Sequence, residues 1–196
     1  MAERRIVLIQ GHPDPIIAHL CHALADAYAA GAADAGHAVR RIEVSRLDFP
    51  LLRSQQDWEH GSVPAALAQA QADIAWAQHL VFFFPLWLGD MPALLKGFLE
   101  QVARPGFAFK AGADNPMGQK ALGGRTGRVV VTMGMPALVY RWYFRAHSIK
   151  SLERNVLGFV GIAPVNETLI GLVDKLGDEG VLKWTAKLRK LGAGAE

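Results

Sequence analysis

The chain has 196 residues, 51% of them hydrophobic and 20% charged, with a net charge of +3 and a mean hydropathy of +0.15, which suits one folded domain and is too apolar for a disordered chain. Its longest apolar run, Leu80 to Leu88, contains Pro85 and is about half the roughly 20 residues that a bilayer crossing takes; no secretory-type run opens the chain, so we expect a single cytoplasmic domain over 1–196 without membrane insertion. The single cysteine, Cys21, excludes an internal disulfide framework and any Cys-rich metal site.

Arg5 to Gln10 is a short β-branched apolar run that stops at Gly11-His12-Pro13-Asp14-Pro15, which predicts a buried strand leaving through a tight loop. From Ile17 onward, Leu20, Cys21, Leu24, Ala27 and Tyr28 recur at helical spacing until Gly36. Val39 to Val44 predicts a second strand, Pro64 to Trp76 a helix, and Leu80 to Phe84 a third strand so apolar that both faces must be covered. A helix with Leu94, Leu95, Phe98, Leu99 and Val102 on one side follows. Residues 103–127 are rich in Gly and show no period, which predicts a long loop. Arg128 to Thr132 predicts a fourth strand, Tyr140 to Asn155 a helix, Pro164 to Leu172 a fifth strand, and Val181, Thr185, Leu188 and Leu191 the buried stripe of a last helix. Strict alternation of strands and helices implies an α/β doubly wound parallel sheet with helices on both faces, in either the flavodoxin-like order 2-1-3-4-5 or the Rossmann order.

Open parallel sheets bind ligands beyond the carboxyl ends of their strands. Three strand exits are unusual: Gly11 to Ile17, Pro85 to Met91, and Met133 to Tyr140 carry Gly, Pro, aromatics and Met in place of ordinary turn residues. The first meets a helix start, where free N–H groups can hold a phosphate with His12 beside them; the same segment also reads as a rigid turn. At the second, Trp87 is either a platform for a flat ligand or a plug of the sheet end. At the third, Tyr140, Arg141, Trp142, Tyr143, Arg145 and His147 suit an interface or a catalytic site. His19 and His22 have no third ligand at a recognisable spacing and read as a solvated pair, and Cys21 reads as an inert core thiol. No G-x-G-x-x-G follows the first strand, so a Rossmann dinucleotide fingerprint is missing.

The run Phe84-Pro85-Leu86 with Pro92-Ala93-Leu94-Leu95-Lys96-Gly97-Phe98, then Gly106-Phe107-Ala108-Phe109, resembles the signature blocks of the NAD(P)H:quinone oxidoreductase family of flavodoxin-like flavoproteins. His12-Pro13 and Thr132-Met133-Gly134 support it. The resemblance implies a flavodoxin-like five-stranded sheet of order 2-1-3-4-5, a bound FMN or FAD, NAD(P)H as hydride donor, a quinone-like acceptor and a homodimer. It places the flavin phosphate at His12, Ile17 and Ala18, and the ring system between Pro85, Leu86, Trp87 and Leu88 on one side and Thr132, Met133 and Gly134 on the other. Tyr140 and His147 match the family pair that balances charge during hydride transfer. Ala18 and Cys21 stand where many relatives have Ser and Asn, which keeps a second reading open: a regulatory or electron-transfer module with weak or lost flavin affinity.

Charge is unevenly spread. Residues 1–100 carry 7 Lys/Arg against 11 Asp/Glu, and residues 101–196 carry 14 against 7. Without an RNA-binding motif or a dense basic block, this favours a phosphate-bearing small ligand over nucleic acid, with Arg125, Arg128, Arg141 and Arg145 as candidate partners of the nicotinamide cofactor's phosphates.

Overall fold

The structure is a computed structural model that describes residues 2–112 and 115–196. Strands β1 (Arg5–Gln10), β2 (Ala38–Glu43), β3 (His79–Pro85), β6 (Thr126–Thr132) and β7 (Val165–Ile170) form one sheet in the order β2-β1-β3-β6-β7. All four pairings are parallel. Numbered within the sheet this is 2-1-3-4-5, so the Rossmann order is ruled out and the strand order reverses beside β1 and β3.

The period of two along each strand builds two cores. Val7, Ile9, Leu80, Phe82, Phe84, Val129 and Val131 face one side, packed by Ile74 of α3 (Ala68–Trp76) and by Leu95, Phe98 and Val102 of α4 (Ala93–Val102). Ile6, Leu8, Val81, Phe83 and Val130 face the other, covered by Leu24 and Tyr28 of α1 (Leu20–Asp34) and Leu188 of α8 (Gly177–Gly194). Burial on both faces explains why β3 reads as an unbroken apolar run and not as an alternating one.

Three expectations change. The 103–127 segment is not a plain loop: β4 (Phe109–Gly112) and β5 (Asn115–Lys120) pair antiparallel, and only Ala113 and Asp114 within it lie outside the described residues. Phe109 anchors the hairpin, its ring 5.5 Å from Trp58 and 5.4 Å from Phe159. The first helix begins at Leu20, three residues later than Ile17, because Asp14 holds the backbone of Ile16 and Ile17 in a turn. The single helix expected over Tyr140 to Asn155 is broken into α5 (Ala137–Trp142) and α6 (His147–Ser151), followed by a π-helical turn over Leu152–Leu157 and the short α7 (Gly158–Val160). The break falls at Arg145 and Ala146, both left-handed with φ of 55° and 48°, which no α-helix accommodates. No helix among the described residues is long and apolar enough to cross a membrane.

Candidate active site

Five segments meet at the carboxyl edge of the sheet around a cleft of about 410 Å³: the loop after β1 (His12, Asp14), the start of α1 (His19, Leu20, Cys21), the end of β3 (Pro85, Trp87), the end of β6 (Thr132) and the loop after β7 (Val173, Asp174). The first of these is held by Gln10, whose Nε2 donates to the Cys21 carbonyl at 3.1 Å while its Oε1 accepts the His12 N–H at 3.1 Å. Gly11 lets α4 come close: a Cβ would lie 2.6 Å from Leu95 Cδ2, so a larger residue would force the Leu95 side chain to turn aside.

Beyond Gly11 the loop is a network of imidazoles around one carboxylate. His12 is buried and stacks on His19, ring centroids 3.9 Å apart, with His22 5.3 Å away. The Asp14 N–H donates to His12 Nδ1 at 3.2 Å. Burial first, then the neighbouring His19 and His22, push the His12 imidazole down to about 4, so it is neutral at pH 7. Asp14 Oδ2 accepts from His19 Nε2 at 2.9 Å, and Oδ1 accepts the N–H of Ile16 at 2.8 Å and of Ile17 at 3.4 Å. These contacts, His19 foremost, hold the Asp14 carboxyl down to about 2. His22 Nδ1 accepts the His19 N–H at 3.2 Å and so caps α1 from within. Among the described residues nothing accepts from the N–H groups of Leu20 and Cys21, and these are the orphan donors that make a helix start an anion site. His19 and His22 are thus half-buried members of this network and not a solvated pair, and the described residues hold no metal-binding cluster.

At the second exit Trp87 and Asp90 exchange both backbone hydrogen bonds, at 2.8 and 3.0 Å, around Leu88 and Gly89. Both central residues have positive φ, 48° and 82°, the signature of a type I′ turn. The turn leaves the Trp87 indole 51% exposed over the cleft, with its edge toward His12, centroids 6.0 Å apart at 76°. It lines the cleft without plugging the sheet. Leu88 is fully exposed and pays the steric cost of a left-handed backbone, so Leu88→Asn is expected to raise stability by about 1 kcal/mol, read as a higher urea midpoint at unchanged slope. An unchanged or lower midpoint would count against that turn.

At the third exit the Thr132 hydroxyl meets the Cys21 Sγ at 3.1 Å across the cleft floor. Burial pushes the Cys21 thiol up to about 12, which leaves it protonated and inert, as expected of a core thiol. Met133 is buried, with its N–H donated to Ile170 at 2.8 Å. Gly134 is exposed at the rim, where a Cβ would stand 3.4 Å from Asp174 Oδ2.

The expected site residues therefore separate. His12, Pro85, Trp87 and Thr132 line the cleft. Ile17 and Ala18 line a neighbouring cavity of about 370 Å³ on the β2 side of the loop, with Arg41 and Arg46. Leu86 is half-buried against the core and donates its N–H to the Thr132 carbonyl at 2.8 Å. Tyr140 is 2% exposed and spends its hydroxyl on Ser148 Oγ at 2.6 Å; His147 is exposed at the start of α6. Neither lines the cleft.

Two of the four expected phosphate partners are corrected. Arg125 donates to the carbonyls of Ile74 and Ala75, and Arg128 to Thr168 and Glu196. Both sit at the amino end of β6, opposite the cleft. Arg141 pairs with Glu167 at 2.6 Å, and Arg145 is exposed. Sequence reasoning missed Val173 and Asp174, although applying the strand-exit rule to the fifth strand would have reached them.

A five-stranded doubly wound sheet with its cleft where the strand order reverses defines a flavodoxin-type protein. The chain belongs to the family described as having a flavodoxin-like fold, whose model matches residues 4–190. It is 28% identical over 155 residues to the ribosyldihydronicotinamide dehydrogenase-like protein traD of Penicillium crustosum, a match covering 66% of this chain and 57% of that one, so it spans little more than half of that relative. It is 27% identical over 180 residues to the uncharacterized NAD(P)H oxidoreductase YcaK of Escherichia coli K12, covering 87% of this chain and 85% of that one. The fold superposes on an NAD(P)H:quinone oxidoreductase from Methanothermobacter marburgensis with a TM-score of 0.81 at 23% identity, covering 98% and 97% of the two chains. It also superposes on an FMN-dependent NADH-azoreductase from Bacillus anthracis, solved in complex with FMN, with a TM-score of 0.73 at 16% identity, covering 97% and 98%.

Proposed function

We propose that the protein is a flavin-dependent NAD(P)H oxidoreductase that reduces quinones or similar electrophiles by two electrons, with FMN or FAD bound and with two copies of the chain in the working unit. One observation carries this reading: a half-exposed indole at the β3 exit, a hydroxyl at the β6 exit and two free N–H groups at the α1 start border a single cleft at the reversal of strand order. A flavin presents a planar apolar ring system at one end and a polar ribityl chain at the other, and these groups fit both ends.

When bound, a flavin supplies the chemistry of accepting a hydride from a reduced nicotinamide and passing it to a second substrate. The chain's own residues do the rest. Trp87 and Pro85 give the ring an apolar wall and shed water from it. Cys21 fixes the Thr132 hydroxyl so that it is oriented before any ligand arrives. The N–H groups of Leu20 and Cys21, at the positive end of α1, hold the ribityl side. The second copy is suggested by the exposed Leu138, Trp142, Tyr143 and Phe144 beyond the third exit, since exposed aromatic clusters mark interaction surfaces.

The test is direct. The purified protein should be yellow or become so with FMN or FAD, bleach on addition of NAD(P)H, recover its colour with a quinone, and sediment at twice the 21.3 kDa chain mass. A colourless protein that neither flavin reconstitutes overturns the enzyme and leaves the regulatory or electron-transfer module. Within the same assay, Trp87→Ala should weaken flavin binding about tenfold, the loss of one aromatic stacking contact with its buried area. An unchanged dissociation constant would remove Trp87 from the ring site.

A further inference from the structure

At the amino end of the sheet, opposite the cleft, a second cavity of about 390 Å³ lies between the strand starts and the end of α8. Its wall includes Arg4 ahead of β1, His79 and Thr126 at the starts of β3 and β6, Asn166 of β7 and Glu196 after α8. His79 is 1% exposed. Its Nδ1 lies 2.7 Å from Thr126 Oγ1, and its Nε2 is buried without a hydrogen-bond partner, a state that folded proteins rarely tolerate. The Glu196 carbonyl faces the ring but already accepts from Arg128 Nε at 2.7 Å and from the Tyr28 hydroxyl at 3.0 Å. With a carbonyl in front of it and the Thr126 hydroxyl able to donate to Nδ1, the neutral imidazole carries its proton on Nε2 and presents a donor. Donors dominate the rest of the wall. Arg4 gives one nitrogen to the Ala195 carbonyl at 3.2 Å, and the exposed Asn166 amide adds two N–H groups. Glu196 supplies the one acidic side chain of the wall, against Arg4 and the adjoining Arg128, both close enough to His79 to oppose its protonation.

We propose that this cavity is a second ligand site, separate from the flavin cleft, for a small molecule bearing a carboxylate or phosphate oxyanion, with Arg4 pairing its charge and His79 Nε2 donating to one of its oxygens. The proposal goes beyond the flavin reading and does not depend on it. An oxyanion gives the buried N–H its missing acceptor and offers the guanidinium a charge-assisted partner, and the volume falls within the usual range of small-molecule pockets. Capping of α8 accounts for the contact between Arg4 and Ala195, but it does not account for an imidazole buried without a partner at the wall of a cavity. One water would satisfy Nε2, yet it fills only about 30 Å³ and leaves the Arg4 charge unpaired.

The experiment titrates the purified full chain at pH 7 with succinate and, separately, with inorganic phosphate, each against sodium chloride of matched ionic strength. The readouts are the His79 ring resonances, assigned by their loss in His79→Asn, and the urea midpoint. The resonances should shift saturably with succinate, phosphate or both but not with chloride, and the midpoint should rise over the same concentration range. The tighter of the two anions tells a carboxylate ligand from a phosphate one. Arg4→Gln, at an exposed position, should weaken the dissociation constant about tenfold, whereas Arg46→Gln, beside the distant cavity near β2, should leave it within about twofold. If Arg4 only caps α8, Arg4→Gln lowers the midpoint equally with and without the anion, and the proposal is overturned. It is also overturned if the His79 resonances move no more with either anion than with chloride. Should Arg4→Gln fail to fold, Asn166→Ala takes its place, and an unchanged dissociation constant there refutes the site. Because His79 lies at the opposite end of the sheet from the flavin cleft, a negative result here leaves the flavin reading intact, and a colourless protein leaves this proposal standing.

Discussion

Gly31→Ala is expected to destabilise the protein by roughly 2–4 kcal/mol, although the same change in an exposed helix interior gains up to about 1 kcal/mol. Gly31 lies in α1 where that helix crosses α8, and a Cβ there would stand 1.9 Å from the Arg189 carbonyl oxygen. The reciprocal position, Gly192 of α8, has the Tyr28 carbonyl oxygen 2.0 Å from its own Cβ direction. Both obstacles are backbone, so no side chain can turn aside, and the helices must separate. Separation withdraws Leu188 and Tyr28 from the core over β1 and β3. Because α1 also carries the free N–H groups of the cleft, tilting it moves the site as well as the core. Urea unfolding of Gly31→Ala and Gly192→Ala tests this, and a midpoint at or above that of the wild type for either variant would refute the close crossing.

How much of this was legible in the sequence depended on whether a residue's neighbours along the chain were also its neighbours in space. The alternation of apolar strands and amphipathic helices gave the sheet, and the Gly and Pro at the strand ends gave two sides of the cleft, because exits from a parallel sheet converge by topology alone. The β4–β5 hairpin was hidden: Phe109–Gly112 and Asn115–Lys120 carry Pro and two Gly and no alternation, and they are held by pairing and by Phe109 packed on Trp58 and Phe159, residues about 50 positions away on either side. Tyr140 looked available because a tyrosine after a glycine loop is polar at its tip. Its hydroxyl is taken by Ser148, which reaches it only because the backbone reverses through Arg145 and Ala146. Arg128 looked like a phosphate partner because a charge count has no direction, whereas three residues into β6 it lies at the end of the sheet away from the cleft. The capture of His19 by Asp14, five residues earlier, follows only from the fold of the loop that joins them.

Between pH 7 and pH 5 the protein is expected to lose about 2 kcal/mol of stability through one buried histidine. His79 opens β3, is 1% exposed and shares a 2.7 Å hydrogen bond between its Nδ1 and Thr126 Oγ1. Burial, opposed in part by the Glu196 backbone and aided by Arg128 and Arg4, lowers its imidazole from 6.5 to about 4. The unfolded chain therefore takes up a proton near pH 6.5 that the native protein refuses until about pH 4. In that window the unfolded state binds more protons, so the contribution of His79 is fully present above pH 6.5 and disappears as the pH falls through 4. The whole shift is worth about 3 kcal/mol, and about 2 of it is spent before carboxylates begin to titrate. His79→Asn preserves a partner for Thr126 and cannot be protonated, so its stability should change less between pH 7 and 5, by about 2 kcal/mol, than that of the wild type in urea unfolding. A difference between the two proteins that stays constant across those pH values would refute the assignment. Asp14 cannot mimic the effect: its lowered carboxyl, at about 2 in the native protein, acts only once the pH drops to 4 and below, and His12, shifted in the same direction as His79, is present in both proteins and cancels from their difference.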